Sequence, residues 1–136
     1  MFDLIQSLDS YDLARVLNKC AEQTGKKQRV LVQVKLAEEE SKHGADEKDV
    51  FDLLEKVLAL GHLQVEGLMT IPPYFESPEQ ARPYFRRLKE IRDRAAIQGI
   101  HLPELSMGMS NDYEIAVEEG ATLVRVGSAI FGERNY

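Results

Sequence analysis

The sequence predicts an α/β fold of parallel strands joined by crossover helices. Three observations carry this. Short β-type runs alternate with helical patterns five times, the connections between them are short, and glycines stand where the helices should stop. Two architectures fit that alternation: a doubly wound open sheet, or part of a (β/α)8 barrel. In both, ligands bind at the carboxyl ends of the strands. The chain has 136 residues, with 43% hydrophobic and 29% charged, which places it in one globular domain and excludes a disordered or collagen-like chain.

The first β-type run is residues 2–8. Ser10 is suited to cap the helix that follows, with Leu13, Val16, Leu17 and Cys20 on one face and Gly25 as its stop. Cys20 is read there as a packing residue. The second run is residues 29–34, followed by a polar loop with Glu38, Glu39 and Glu40. Asp46 is the predicted cap of the next helix, whose stripe is Val50, Leu53, Leu54, Val57 and Leu58, and Gly61 ends it.

The third run is residues 65–71, closed by Pro72 and Pro73. Ser77, Pro78 and Gln80 read as an N-cap, a first-turn proline and a capping-box residue. The apolar face of this helix is Tyr84, Phe85, Leu88, Ile91 and Ala95. Pro83 conflicts with a start at Pro78, so the spacing predicts a kink or a later start. Residues 104–107 form a short strand. Ser110 or Asn111 then caps a helix through Val117, stopped by Gly120, and residues 122–126 form the last strand.

Net charge is −6, with 23 acidic against 17 basic residues, which gives a nucleic-acid surface little electrostatic support. No run approaches the ~20 apolar residues of a membrane span. The single cysteine excludes an internal disulfide framework and a multi-cysteine zinc site, and fits a reducing, cytoplasmic setting. His43, His62 and His101 lack metal-ligand spacing.

Two strand ends carry candidate chemistry. At Ser106-Met107-Gly108-Met109-Ser110 a strand meets a helix start, where a glycine permits close backbone approach and free N–H groups favour an anion. The alternative is an ordinary capped turn. At Arg125-Val126-Gly127-Ser128 a guanidinium near a strand end needs acceptors, from a ligand or from a structural salt bridge. Together the two corners resemble the phosphate cradle after strands 7 and 8 of many barrels. Met69, Met107 and Met109 stand near strand ends, as pocket lining or as core.

The same two corners, extended through Ala129, Ile130, Phe131 and Gly132, resemble those of the pyridoxal phosphate homeostasis protein family, small relatives of the alanine racemase barrel. Residues 5–10 look like that family's fourth strand, 32–34 with 39–44 like its fifth strand and loop, and 67–71 like its sixth. The resemblance implies about five β-α units of an alanine racemase-like TIM barrel, family strands 4 to 8. It implies a single domain over residues 1–136 that lacks the first three strands.

It also implies a cytoplasmic, non-catalytic role in binding pyridoxal 5′-phosphate (PLP) and balancing vitamin B6. Ser106 would contact the phosphate, Gly127 and Ser128 would donate to it, Arg125 would face the pyridine nitrogen, and Gly108 and Met69 would lie at the site. The family's Schiff-base lysine has no counterpart here. Lys35 stands where the family usually has asparagine, so PLP would be held without a covalent bond. A racemase-like enzyme and a ligand-free relic are the competing readings.

A whole barrel takes about 250 residues. Five parallel strands leave two unpaired edges and an apolar inner face partly open. The expected outcomes are self-association or strand exchange, rearrangement into an open sheet, or origin as one part of a longer protein.

Overall fold

The computed structural model describes residues 4–36 and 44–125. The expectations placed on Phe2 and Asp3, on the Glu38–Glu40 loop, on His43 and on Gly127 and Ser128 lie outside these residues.

The elements follow the alternation of the sequence. They are β1 (Leu4–Leu8), α1 (Tyr11–Thr24), β2 (Gln28–Lys35), β3 (Ala45–Asp46), α2 (Val50–Leu58), β4 (Leu63–Met69), α3 (Arg82–Ile97), β5 (Glu104–Met109), α4 (Tyr113–Glu118) and β6 (Leu123–Arg125). Every strand pair is parallel. The order across the sheet is β1-β2-β4-β5-β6, with β3 beside β2. A doubly wound sheet reverses direction at a switch point. This one advances in a single direction, and right-handed crossovers then put all helices on one side. The architecture is therefore part of a barrel wall.

The helix-covered side holds the core. Val30, Val32 and Val34 of β2, Leu68 of β4, and Leu105 and Met107 of β5 pack with Leu54 of α2 and with Phe85, Leu88 and Ile91 of α3. The alternate strand positions face the other way. On β2 these are Leu31 and Gln33, in register with Gly67 and Met69 of β4, and Met69 is in turn in register with Ser106 of β5. The inner face is therefore rich in polar groups, with Gln6, Gln33, Ser106 and Arg125 on it. With Leu31, Gly67 and Met69 beside them, the face is mixed rather than wholly apolar. Leu31, Gln33 and Ser106 are also buried rather than open.

Local corrections have local causes. Ser10 does cap α1, accepting from the Leu13 N–H at 3.2 Å, and Gly25 ends it in the left-handed conformation. The buried residues of α1 are Ala14 and Ala21, while Val16 and Cys20 are exposed, so Cys20 is not a packing residue. Alanines let the helix approach its neighbours closely, which turns the stripe by about one residue. Asp46 makes no side-chain cap, because its backbone pairs with Lys35 as part of β3, and a 3-10 turn over Glu47–Asp49 leads into α2. Leu58 at the end of α2 is half exposed.

Ser77 likewise makes no side-chain cap: residues Pro78–Ala81 form a 3-10 turn and α3 begins at Arg82. Pro83 then sits in the first turn, where its missing N–H breaks no helical bond. Ser110 and Asn111 are not the residues at the cap of α4. Asp112 holds that place and folds back, its Oδ1 accepting from the Met109 N–H at 2.7 Å.

Candidate functional site at the carboxyl end of the strands

Arg125 closes β6 and is in register with Met109, the last residue of β5. Its guanidinium is forked over two acceptors. Nη1 donates to Ser106 Oγ at 2.5 Å and Nη2 donates to the Thr70 carbonyl at 3.1 Å. Thr70 follows directly on β4. Its N–H donates to the Ser106 carbonyl at 3.1 Å and its hydroxyl to the Val34 carbonyl at 2.9 Å, so the acceptor offered to Arg125 is itself held from two sides.

Ser106 is fully buried, and its hydroxyl also donates to Gln6 Oε1 at 2.5 Å. This contact spans the sheet. In a flat sheet β1 and β5, three spacings of ~4.8 Å apart, would be ~14 Å from each other. Contact between their side chains requires the wall to curl, as a barrel does.

Burial pushes the Arg125 pKa down, and the nearby Asp112 carboxylate opposes that shift. An arginine remains charged through such a shift. Among the described residues it forms no ion pair, so the salt-bridge alternative is not what the geometry shows. A half-buried cation satisfied by neutral oxygens keeps most of its charge available to an anion or a lone pair on a ligand.

The other proposed positions fall nearby. Met69 is buried (6% exposed) at the end of β4 as the register partner of Ser106. Gly108 has φ +103, and a Cβ there would lie 2.7 Å from the Ala116 Cβ. Glycine is thus required at this position for the approach of α4 to β5. The rim of this strand end exposes Ile71, Tyr74 and Met109. Asn111 Nδ2 donates to the Phe75 carbonyl at 3.3 Å and ties the β4–α3 connection to the β5–α4 turn.

Lys35, at the end of β2, lines a cavity of about 440 Å³ with Leu36, Asp46, Glu47 and Lys48 among the described residues; Ser106 and Arg125 are not part of that lining. The described residues contain no cluster able to hold a metal ion, and no described helix is long and apolar enough to cross a membrane.

Three participants escaped the sequence reading: Gln6, Thr70 and Asp112. Gln6 had a faint signal, as a polar residue at an alternate position of a β-type run. Thr70 acts through its carbonyl, which no residue type announces.

A curled wall of parallel strands with a fixed cation at its carboxyl edge is part of a barrel of the (β/α)8 class, whose ligand sites lie at that edge. The sequence profile of the alanine racemase N-terminal domain matches residues 2–135, and the chain belongs to that family. It is 49% identical over 134 residues to the pyridoxal phosphate homeostasis protein of Aquifex aeolicus, covering 98% of this chain and 59% of that protein. It is 38% identical over 141 residues to the human protein of the same name, covering 98% of this chain and 51% of the human one. The chain thus spans between half and three-fifths of these two relatives' length.

Among solved structures, PipY of Synechococcus elongatus PCC7942 without PLP superposes with a TM-score of 0.89 at 37% identity, over 96% of this chain and 62% of PipY. The structure of PipY with PLP bound gives 0.87 at 36%, over 96% and 61%. An alanine racemase of Clostridium difficile shares the fold alone, with a TM-score of 0.77 at 17% identity, over 98% of this chain and 36% of that one.

Proposed function

We propose that this chain binds pyridoxal 5′-phosphate without a covalent bond and serves in intracellular, cytoplasmic PLP homeostasis, without turnover. In this reading it is a single domain equivalent to strands 4 to 8 of the family barrel. The observation that carries the reading is the Arg125 guanidinium, oriented by Ser106 and Thr70 and making no ion pair among the described residues. PLP-bound PipY supports it, as do relatives named for PLP homeostasis.

PLP, when bound, supplies an electron-withdrawing pyridine ring, an aldehyde and a phosphate. The binding residues proposed are Met69, Ser106, Gly108, Arg125, Gly127 and Ser128. Arg125 would face the pyridine nitrogen, where its charge would keep that nitrogen unprotonated, which weakens the ring as an electron sink and suits a carrier. Gly127 and Ser128, which lie outside the described residues, would donate to the phosphate, and Met69 would lie near the ring. Ser106, whose hydroxyl is engaged by Gln6 and Arg125, serves the ligand by holding Arg125. The open edges β1 and β6, each paired on one side among the described residues, support self-association.

The test is titration of the chain with PLP, followed by borohydride reduction and mass spectrometry. Reversible binding with no covalent increment is expected, weakened in Arg125→Ala. Absence of saturable binding overturns the reading. A reduced adduct on Lys35 overturns its non-covalent part.

A further inference from the structure

Arginine has only donors, so at the Arg125–Ser106 contact the serine oxygen must accept. The serine proton therefore points elsewhere, and the second neighbour, Gln6 at 2.5 Å, must present its oxygen rather than its amide nitrogen. The direction of the whole relay, from guanidinium to hydroxyl to amide oxygen, is set by this one constraint. Its far end stands on β1, a hundred residues from Ser106 in the chain and three strand spacings away across the sheet.

We infer that Gln6 is a positioning residue of this site: its side-chain oxygen fixes the rotor of the Ser106 hydroxyl, and through it the place of the Arg125 guanidinium. Without that acceptor the buried hydroxyl has to find one elsewhere, and among the described residues its other close partner is a donor. The rotor then turns from Arg125, one arm of the fork is lost, and the guanidinium is held by the Thr70 carbonyl alone. Gln6 has a second effect. By joining β1 to β5 across the interior it couples the curl of the wall to the placement of the cation, so the site is shaped by a strand that holds none of the binding residues proposed above.

The inference rests on the PLP reading only for its effect on ligand affinity. Its primary readout is independent of PLP. In a nitrogen–proton correlation spectrum of the full chain, the Arg125 Nε–Hε signal, assigned by its loss in Arg125→Lys, reports whether the guanidinium is held. Gln6→Leu is expected to shift and broaden that signal while the amide spectrum stays folded, and to weaken PLP binding about tenfold, the scale of one hydrogen bond to a charged group. Gln6→Glu keeps an acceptor and is expected to keep the Arg125 signal sharp.

An unchanged Arg125 signal in a folded Gln6→Leu chain overturns the inference. If that variant does not fold, Gln6→Asn, which withdraws the acceptor by one methylene, takes its place with the same expectation. Failure of the wild-type chain to bind PLP, with the Gln6 dependence of the Arg125 signal intact, overturns the PLP reading alone.

Discussion

Arg125 Nη1 and Ser106 Oγ meet at 2.5 Å between the last two strands of the wall. Ser106→Ala leaves a buried guanidinium donor and the Gln6 oxygen without their partner. The expected cost is about 1–3 kcal/mol of unfolding free energy. Urea titration followed by circular dichroism measures it, and a change below ~0.5 kcal/mol is the outcome that contradicts the relay.

Asp112 is the carboxylate that acts on Arg125. Asp112→Asn keeps an oxygen for the Met109 N–H and removes the charge. Affinity for PLP, a dianion at its phosphate, should rise by roughly twofold to tenfold at low salt, the scale of one charge acting through several ångströms of high effective dielectric. Titration at low and high ionic strength checks this, since the gain should shrink with salt.

Gly67 is in register with Leu31 on one side and Glu104 on the other. A Cβ there would fall 1.9 Å from the Glu104 carbonyl oxygen. Backbone cannot swing aside as a side-chain tip can, so Gly67→Ala has to push β4 and β5 apart. A loss of about 3 kcal/mol or more is expected. A thermal midpoint within a few degrees of wild type would show that the strands tolerate the methyl.

Arg82 bridges Glu79, Glu118 and Glu119, and Arg86 joins Glu119, tying α3 to the end of α4. The Arg82 hydrogen bond holds the Glu119 carboxyl below its ordinary value of 4.5, and Glu79 is lowered by the same partner. A depressed folded-state pKa gives stability that is present above the unfolded value and is lost as pH falls through the folded one. The thermal midpoint should therefore drop on acidification through the carboxylate range. Glu119→Gln should lower the midpoint at neutral pH and flatten that acid limb. An acid limb of unchanged slope in the variant would count against the network.

Much of the wall was legible from residue order. The valines of β2 alternate with Leu31 and Gln33, the stripe of α2 has helical period, and Ser10 and Gly25 bracket α1 with groups whose local chemistry suffices. Arg125 could also be singled out, because a cation near the end of a strand is costly without acceptors. Caps were less legible. Asp46 was drawn into β3 by pairing with Lys35, and Asp112 turned back to Met109, because backbone pairing and turn closure outweigh a side chain's intrinsic preference.

Local chemistry in the chain thus accounts for the strands, the helices, their parallel arrangement and the cation at the edge, since each depends on spacing within a few residues. The tertiary structure alone chose the single-direction sheet order over a doubly wound one, buried Leu31, Gln33 and Ser106 on the inner face, and gave Arg125 its partners. Those partners, Ser106 and Thr70, come from other strands, and Gln6 reaches Ser106 only because the sheet curls. Curvature is a property of the assembled wall, and no stretch of sequence contains it.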